Sequence, residues 1–220
     1  MRGSVSRLTL YQADDEQAAR HAHGVADIAE GCQLGRRDKA WLGNCIAIGH
    51  AAAIIEPLTP APLMLVQRDI ERLLELIPVA QDAGVERTEF NRRFALDYDH
   101  ADLFNRALYQ SENLPPSQFW QSVKQSPMDE KLSTKLTQFE SRALITMFDL
   151  EPFNEQDWLI LHFGMQRQVA RYNRFAERFS VDQSKSWIDA QQRGINAIVK
   201  KMPPPDRYIA RMLDYLRSRS

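Results

Sequence analysis

The fold is decided by residues 86–111, ERTEFNRRFALDYDHADLFNRALYQS, which have the pattern of one long amphipathic helix. Apolar residues recur at intervals of three and four, the spacing that places side chains on one face of an α-helix. The prolines Pro115 and Pro116 end the helix, because proline lacks the backbone N–H that a helix interior needs. The predicted inward stripe consists of Phe90, Phe94, Tyr98, Ala101, Phe104 and Leu108.

Helical periodicity also extends through most of the remaining chain. Acidic residues from Asp14 open a predicted helix that reaches about Glu30, and a second covers residues 63–77 until Pro78. Further helices are predicted after Ser117, from Ser126 to about Glu140, and over residues 153–165. A Ser-x-x-Gln capping sequence at Ser180 opens another, and a last helix ends near Leu216. The apolar stripes are predicted core: Leu63, Val66, Ile70, Leu73, Leu74 and Ile77; Trp158, Leu159, Leu161 and Phe163; Ile188, Ile195, Ile198, Val199 and Met202.

Residues 41–49, WLGNCIAIG, are the convincing strand signal. Their β-branched residues and flanking glycines favour a short extended run that is buried on at least one face. The fold class is therefore mainly α, with one or two short strands near residues 33–48. Cys32 and Cys45 lack metal or redox spacing, and we interpret both as small buried hydrophobes.

Composition and charge exclude several classes of protein. The 220 residues are 44% hydrophobic and 26% charged, which is typical of a globular chain and excludes disorder. A net charge of −1 gives no overall attraction to nucleic acid or to an anionic membrane, and no apolar segment is long enough to span a bilayer. We predict a cytoplasmic protein without nucleic-acid or membrane partners.

The glycine spacing excludes a complete nucleotide-binding turn. No Gly-x-Gly pair and no Gly-x-x-x-x-Gly-Lys sequence occurs, so the dinucleotide-binding and P-loop units are both absent. No Gly-x-Ser-x-Gly sequence supports a nucleophilic hydrolase, and no spacing supports a metal site. His100 stands among Asp97, Asp99 and Asp102, a set we assign to solvated surface because it spreads over more than one helix face.

One ordered series of short motifs carries a family resemblance. Gly35-Arg36-Arg37, then residues 41–49, then Glu56-Pro57-Leu58 follow one another in the order and at the spacing of the flavin-dependent tryptophan halogenases, which this chain resembles from about Leu10 onward. The resemblance is to the C-terminal half of that family only. The family's flavin fingerprint, its Trp-x-Trp-x-Ile-Pro motif and its catalytic lysine have no counterpart here.

The resemblance implies a division of the chain and a set of cofactor contacts. Residues 1–60 would be a remnant of the edge of the flavin domain, and residues 61–220 a helical, substrate-side domain. The cofactor would be FAD, which we expect the isolated chain to bind weakly or not at all. Tight packing of the small residues near Gly43 and Gly49 is an equally good explanation of that segment. The implied flavin-facing residues are Gly43, Asn44, Gly49, Glu56, Pro57 and Leu58.

The chain departs from the family where the chemistry takes place. Thr59 occupies the position of the catalytic carboxylate, and a hydroxyl carries no negative charge near neutral pH. Pro60 and Ala61 replace the Ser-Thr pair that holds the halide, and neither side chain offers a donor. We therefore assign no catalytic residue.

The resemblance also indicates a substrate region. Trp158 matches an aromatic residue that clamps the indole ring in the family, and Phe119 and Trp120 are further candidate substrate contacts. Asp157 stands where an aromatic residue is expected, and residues 146–152 lack the family's paired tyrosines, so the substrate is left open.

Two hypotheses follow for function. The first is a truncated or split, C-terminal portion of a halogenase-like protein, inactive alone, whose partners would be an aromatic small molecule, the missing N-terminal half and a flavin reductase. The second is a non-catalytic helical interaction module derived from the family. The sequence does not decide whether the chain forms a homodimer.

Overall fold

The computed structural model describes residues 33–79, 82–111, 118–125 and 127–219. The chain divides into two compact units, residues 11–172 and a smaller unit that contains residues 173–220. The helix predicted over residues 14–30, together with Cys32, lies outside the described residues. The predicted boundary near residue 60 concerns the family's flavin domain and stays a prediction.

Short strands precede a series of helices in the larger unit. The strands are β1 (Gly35–Arg36), β2 (Trp41–Leu42), β3 (Cys45–Ile46) and β4 (Ala53–Ile54). The helices are α1 (Ala61–Glu75), α2 (Gly84–Tyr109), α3 (Gln118–Gln125), α4 (Glu130–Arg142) and α5 (Glu155–Gly164). The smaller unit contains α6 (Val181–Lys201) and α7 (Pro205–Arg217). These elements confirm the predicted, mainly helical fold class, and none of the described helices is long and apolar enough to cross a bilayer.

The four strands form two antiparallel pairs. In the β2–β3 hairpin Trp41 faces Ile46 and Leu42 faces Cys45, and Gly43 at the turn has a φ of 60°, which favours glycine. Strand β1 pairs with β4, so the extended structure continues beyond residue 48. The prediction that Cys45 is buried was wrong: it lies opposite Leu42, which is 69% exposed, on the open side of the hairpin.

Helix α2 is the central element of the larger unit, since α1, β2, α3 and α4 all pack against it. Its predicted stripe is confirmed, with Phe90, Phe94, Tyr98, Ala101 and Phe104 buried and Leu108 half-buried. The aromatic rings along this face form a large part of the hydrophobic core.

The stripe predicted as the buried face of α1 was wrong in part, since only Val66 and Leu73 of its members are half-buried and Leu73 packs against the core. Leu63, Ile70 and Leu74 are exposed by 75%, 46% and 65%, whereas α1 buries Asp69 and Arg72. Ion pairs explain why Asp69 and Arg72 are buried on α1 while these three apolar residues are exposed. Arg72 bonds to Asp69 at 2.9 Å and donates to the Asp97 carboxylate on α2. A buried charge needs a partner, so the charged face of α1 turns toward α2.

These buried charges alter the titration of Asp69. Burial raises the pKa of its carboxyl from 3.8 to about 6, against the lowering effect of Arg72 and of the hydroxyl of Tyr98. Tyr98 donates to Asp69 at 3.3 Å. Arg68 also bonds to Asp97, at 3.0 and 3.1 Å, so two arginines of α1 share one carboxylate of α2.

The assignment of His100 and Asp97 to the solvated surface was wrong: two arginines of α1 pair with Asp97 in the interior, and the His100 ring stacks on Phe148 at 6.1 Å. Asp97 is 1% exposed and His100 is 2% exposed. Only Asp99 and Asp102 remain at the surface, where they pair with Arg36 and Arg106. Helical spacing separates the four residues as predicted, but two of them face inward.

The helices near the end of the chain have well-formed caps and exposed apolar residues. The predicted capping box is confirmed: the Ser180 hydroxyl accepts from the Gln183 N–H at 3.2 Å, and the Gln183 side chain accepts from the Ser180 N–H at 2.9 Å. Helix α4 begins at Glu130 and is capped by Asp129, and the predicted start at Ser126 lies outside the described residues. The inward orientation predicted for α6 was wrong, since these residues are exposed by 56–63%: Ile188, Ile195, Ile198, Val199 and Met202.

One side chain of α2 attaches the β2–β3 hairpin, which gives a test of the core. Asn91 accepts from the Trp41 N–H at 2.8 Å and donates to the Trp41 carbonyl at 2.9 Å. Asn91→Ala leaves two groups beside a buried indole without partners and should lower the free energy of unfolding by about 1–3 kcal/mol.

Urea unfolding of the full chain measures this loss. Gln67→Ala is the matched control, because it removes an exposed hydrogen bond to Glu71 and should change stability by less than about 0.5 kcal/mol. Equal losses in both variants would contradict the attachment role of Asn91.

Candidate functional site

A cavity of about 420 Å³ lies between the segment that follows Leu58 and helix α5. Its walls come from three places: the start of α1, the C-terminal half of α2, and α5 with the loop before it. The lining residues are Thr59, Pro60, Phe104, Leu108, Phe153, Asp157, Ile160, Leu161, Gly164 and Met165. We call this cavity the α5 pocket.

A pair of stacked phenylalanines forms the aromatic wall of the α5 pocket. The rings of Phe104 and Phe153 are 3.9 Å apart and inclined by 10°. Trp158 meets Phe104 edge-on at 4.9 Å, but it is 1% exposed and lies behind this wall. Sequence reasoning assigned Phe104 to the core and missed Phe153 as a site residue. Their helical and loop positions become one wall only in the folded chain.

The two polar side chains of the α5 pocket already have partners. The Thr59 hydroxyl accepts from the Ala61 N–H at 3.3 Å. Asp157 accepts from the Asn154 N–H at 2.8 Å and completes the capping box of α5, whose other half is the Asn154 side chain. No lysine, arginine or histidine is among the lining residues that the structure describes. The pocket is therefore apolar, aromatic on one side, and without a cation for an anionic ligand.

The start of α1 offers no unused backbone donor between Pro60 and Met64. Pro60 and Pro62 have no N–H, and the Ala61 N–H is held by Thr59. The N–H groups of Leu63 and Met64 both donate to the Pro60 carbonyl, at 3.1 and 3.2 Å. The helix start that family members use to hold a halide thus lacks both the side chains and the free N–H groups for an anion.

The predicted flavin-facing residues lie in separate places. Gly43 and Asn44 are at the exposed tip of the hairpin that Asn91 attaches. Glu56 lies near the other end of α2, where its carbonyl accepts from Asn105. Asn91 and Asn105 are 14 positions apart, or about 21 Å along the helix.

The surroundings of Gly49 favour packing as the reason for a glycine there. Its φ is 61°, and a Cβ would come within 3.3 Å of Val66 on α1. Pro57 and Leu58 follow Glu56 and lead to the α5 pocket. Of the predicted flavin contacts, Glu56 lines one of the two cavities described in this section, and the other five line neither.

A second cavity, of about 480 Å³, lies beside Glu56 and is more polar. Tyr109 donates to the Glu56 carboxylate at 2.7 Å, and burial together with this bond raises the pKa of Tyr109. Trp120 on α3 packs against Tyr109 at 5.5 Å. Of Phe119, only its place in α3 lies within the described residues. The candidate substrate residues Trp120 and Trp158 are thus associated with different cavities.

Behind the α5 pocket is a buried polar cluster that sequence reasoning did not find. Lys135 on α4 bonds to Glu151 at 2.8 Å, and Glu151 accepts from the Trp158 indole N–H at 2.5 Å. Burial lowers the pKa of Lys135, against the raising effect of Glu151. The sequence gives no signal for this cluster, because its members are 7 to 23 positions apart and lie on different elements. No cluster of metal-ligating side chains occurs among the described residues.

His162 lies in the core beside the same cluster. It is 1% exposed, and its ring stacks on Phe139 at 3.8 Å. Burial, with Arg167 and Lys135 nearby, lowers the pKa of His162 to about 4. Of the predicted apolar stripe of α5, Trp158 and Leu161 are buried, whereas Phe163 is 69% exposed.

Comparison with known proteins places this geometry in a family. The sequence model of the tryptophan halogenase family matches residues 11–181. The tryptophan 7-halogenase KtzQ of Kutzneria sp. (strain 744) is 28% identical over 109 residues, and the tryptophan 7-halogenase RebH of Lentzea aerocolonigenes is 24% identical over 113 residues. The chain belongs to the tryptophan halogenase family.

Solved structures agree on the fold. The flavin-dependent halogenase Xcc4156 from Xanthomonas campestris superposes on 91% of this chain with a TM-score of 0.76 at 22% identity. BrvH from Brevundimonas sp. BAL3, also a flavin-dependent halogenase, superposes on 80% with a TM-score of 0.69 at 24% identity. The chain covers 42% and 36% of these two structures, and its alignments span 20% and 21% of KtzQ and RebH.

The titration of His162 gives a test of the buried wall. Between about pH 6.5 and pH 4 the unfolded chain binds a proton at His162 and the folded chain does not, so this histidine makes folding less favourable as the pH falls. The raised pKa of Asp69 acts in the opposite direction and is unchanged in a His162 variant. His162→Phe keeps a ring on Phe139 and removes this proton. Relative to the wild type, we expect the stability of this variant, measured as the urea midpoint, to increase as the pH is lowered from about 7 to about 5.

His50→Gln, at an exposed position, serves as the control and should keep the pH dependence of the wild type. An unchanged pH dependence in His162→Phe would show that the buried histidine does not titrate as described.

Proposed function

We propose that this chain forms the substrate-side wall of a flavin-dependent, halogenase-like protein, and that the α5 pocket binds a neutral aromatic molecule. The proposal rests on the position and the lining of the α5 pocket. This pocket joins the segment after Glu-Pro-Leu, where the family performs its chemistry, to a stacked aromatic wall. Membership of the family supports the α5 pocket as the location of a ligand site. The lining residues support a neutral aromatic molecule as its ligand.

The lining favours a neutral ligand over a free amino acid. Phe104 and Phe153 offer rings for stacking. An amino-acid carboxylate would need a cation or free N–H groups, and the lining side chains and the start of α1 provide neither. Asp157 is occupied by the helix cap, so an ammonium group would have to compete with the Asn154 N–H for it.

The chain alone is proposed to be inactive in halogenation. Thr59 has no charge to guide an electrophile, and the halide donors of the family are missing at Pro60 and Ala61. FAD and a flavin reductase are accordingly proposed as partners of a complete protein rather than ligands of these residues. A cytoplasmic location, as predicted from the sequence, belongs to the same proposal.

Indole titration tests the ligand class, because indole is a neutral aromatic probe of suitable size. Gly164→Leu is the blocking variant: Gly164 lines the pocket, and a Cβ there meets no atom within 4 Å, so a larger side chain can be placed at the edge of the pocket without a clash at its Cβ. We expect the dissociation constant for indole to rise at least about tenfold, which is about 1.4 kcal/mol.

Gly194→Leu is the matched control, since Gly194 lies on α6, a Cβ there also meets open space, and no lining residue is near it in sequence. It should bind indole as the wild type does. Absence of indole binding by the wild type, or equal binding by Gly164→Leu, would contradict the assignment of the pocket.

A flavin titration tests the second half of the proposal. We expect no stoichiometric binding of FAD by the purified chain, because the residues of the predicted flavin contacts lie apart. Tight binding with one FAD per chain would show that these residues form a cofactor site after all.

A second candidate function is the non-catalytic interaction module, and the exposed apolar residues favour it. Leu63, Ile70 and Leu74 share one face of α1, Ile77 follows the end of the helix, and all four are exposed by 46–75%. We expect Ile70→Lys with Leu74→Lys to reduce the binding of an apolar dye and to leave indole binding unchanged. A wild-type chain that binds no dye and remains monomeric in sedimentation would contradict this function.

A further inference from the structure

A buried ion pair supports the aromatic wall from behind. The Lys135 and Glu151 side chains are 2% and 1% exposed, and the ammonium nitrogen is 2.8 Å from Glu151 Oε2. Lys135 also donates to the Thr146 carbonyl. The pair thus connects α4 to the loop that precedes α5.

The Glu151 carboxylate fixes the orientation of Trp158. Its Oε1 atom accepts from the indole N–H at 2.5 Å, and Oε2 accepts from the Phe148 N–H at 3.0 Å. Three donors from three parts of the fold therefore meet one carboxylate. A hydrogen bond to a charged acceptor is stronger than one between neutral groups and more restrictive in direction.

The Lys135 ammonium fixes the same indole from its face. It lies 4.3 Å from the ring centre of Trp158 and 4.5 Å from that of Phe148, distances typical of a cation–π contact. The indole is thus held at its edge by an anion and on its face by a cation, which allows it one orientation.

We propose that Lys135 and Glu151 are positioning residues for the α5 pocket: through Trp158 they hold the stacked Phe104 and Phe153 in place. Trp158 meets Phe104 edge-on, and Phe104 stacks on Phe153. The inference rests on the proposed function only in taking the pocket as a ligand site. Neither Lys135 nor Glu151 lines the pocket, so neither is a catalytic residue.

Two apolar residues of similar volume could fill the space of the pair with little loss of stability, because burying two charges is itself costly. The ion pair of Lys135 and Glu151 therefore restricts the orientation of Trp158 and adds little to the free energy of unfolding. Removing one partner alone would leave a buried charge and destabilise the fold, so the informative variant replaces both, Lys135→Met with Glu151→Leu.

Fluorine NMR of the full chain labelled with 5-fluorotryptophan tests the orientation directly. The chain has four tryptophans, and Trp158→Phe assigns the resonance of Trp158. In the double variant we expect this resonance to shift and broaden, while the circular dichroism stays that of a folded helical protein. Lys131→Met is the control, since Lys131 is an exposed lysine of the same helix that lies near Phe148 but makes no bond to Glu151.

The pH profile separates positioning from simple packing. The lowered pKa of Lys135 predicts that the Trp158 resonance of the wild type titrates below the usual range of lysine. His100 from α2 and His162 from α5 face the same cluster, but burial lowers the pKa of both, so they titrate on the acidic side. The transition should persist in Lys131→Met and be lost in the double variant.

Indole binding supplies the functional readout. The double variant should bind indole at least about fivefold more weakly, or about 1 kcal/mol, because the wall is no longer held. A Trp158 resonance with unchanged shift, linewidth and pH profile in the double variant would overturn the inference. If the wild type binds no indole, the proposed function fails, and the NMR comparison still decides whether the pair positions Trp158.

Discussion

The burial of Asp97 on α2 is the constraint on which the larger unit depends. A carboxylate at 1% exposure needs cations, and Arg68 and Arg72 supply them from α1. The position of α1 fixes the segment just before it, which contains Thr59 and Pro60. One wall of the α5 pocket is thus set by an ion pair that lies within the helix packing, away from the pocket itself.

Much of the fold could be predicted from the sequence, and the predictions that were wrong have physical causes. The stripe of α2 and the capping box at Ser180 were predicted because aromatic residues at helical spacing and reciprocal caps are local signals. The buried face of α1 was not, because periodicity ranks apolar residues above charged ones. It does not anticipate that Asp69 and Arg72 would find partners on another helix. Similarly, Cys45 is exposed because its orientation depends on the register of a hairpin.

The sequence suggested a region for the candidate site, and its detailed contacts became visible only in the structure. The order of the Gly, Glu-Pro-Leu and Trp158 motifs indicated the region, and the departures at Thr59, Pro60 and Ala61 indicated its altered chemistry. The stack of Phe104 on Phe153 and the bonds of Glu151 join residues that are far apart in sequence. Those contacts give the pocket its apolar character and its aromatic wall, and they exist only in three dimensions.

The several bonds of the Glu151 carboxylate also constrain how this part of the protein can diverge. A single substitution of Glu151 leaves the buried ammonium of Lys135 without its counter-charge and the Trp158 N–H without its acceptor. Lineages that exchange these residues must therefore pass through poorly folded intermediates or change several positions together. We expect strong epistasis at this cluster, whereas Gly164 at the open side of the pocket can vary alone and adjust the accepted ligand in one step.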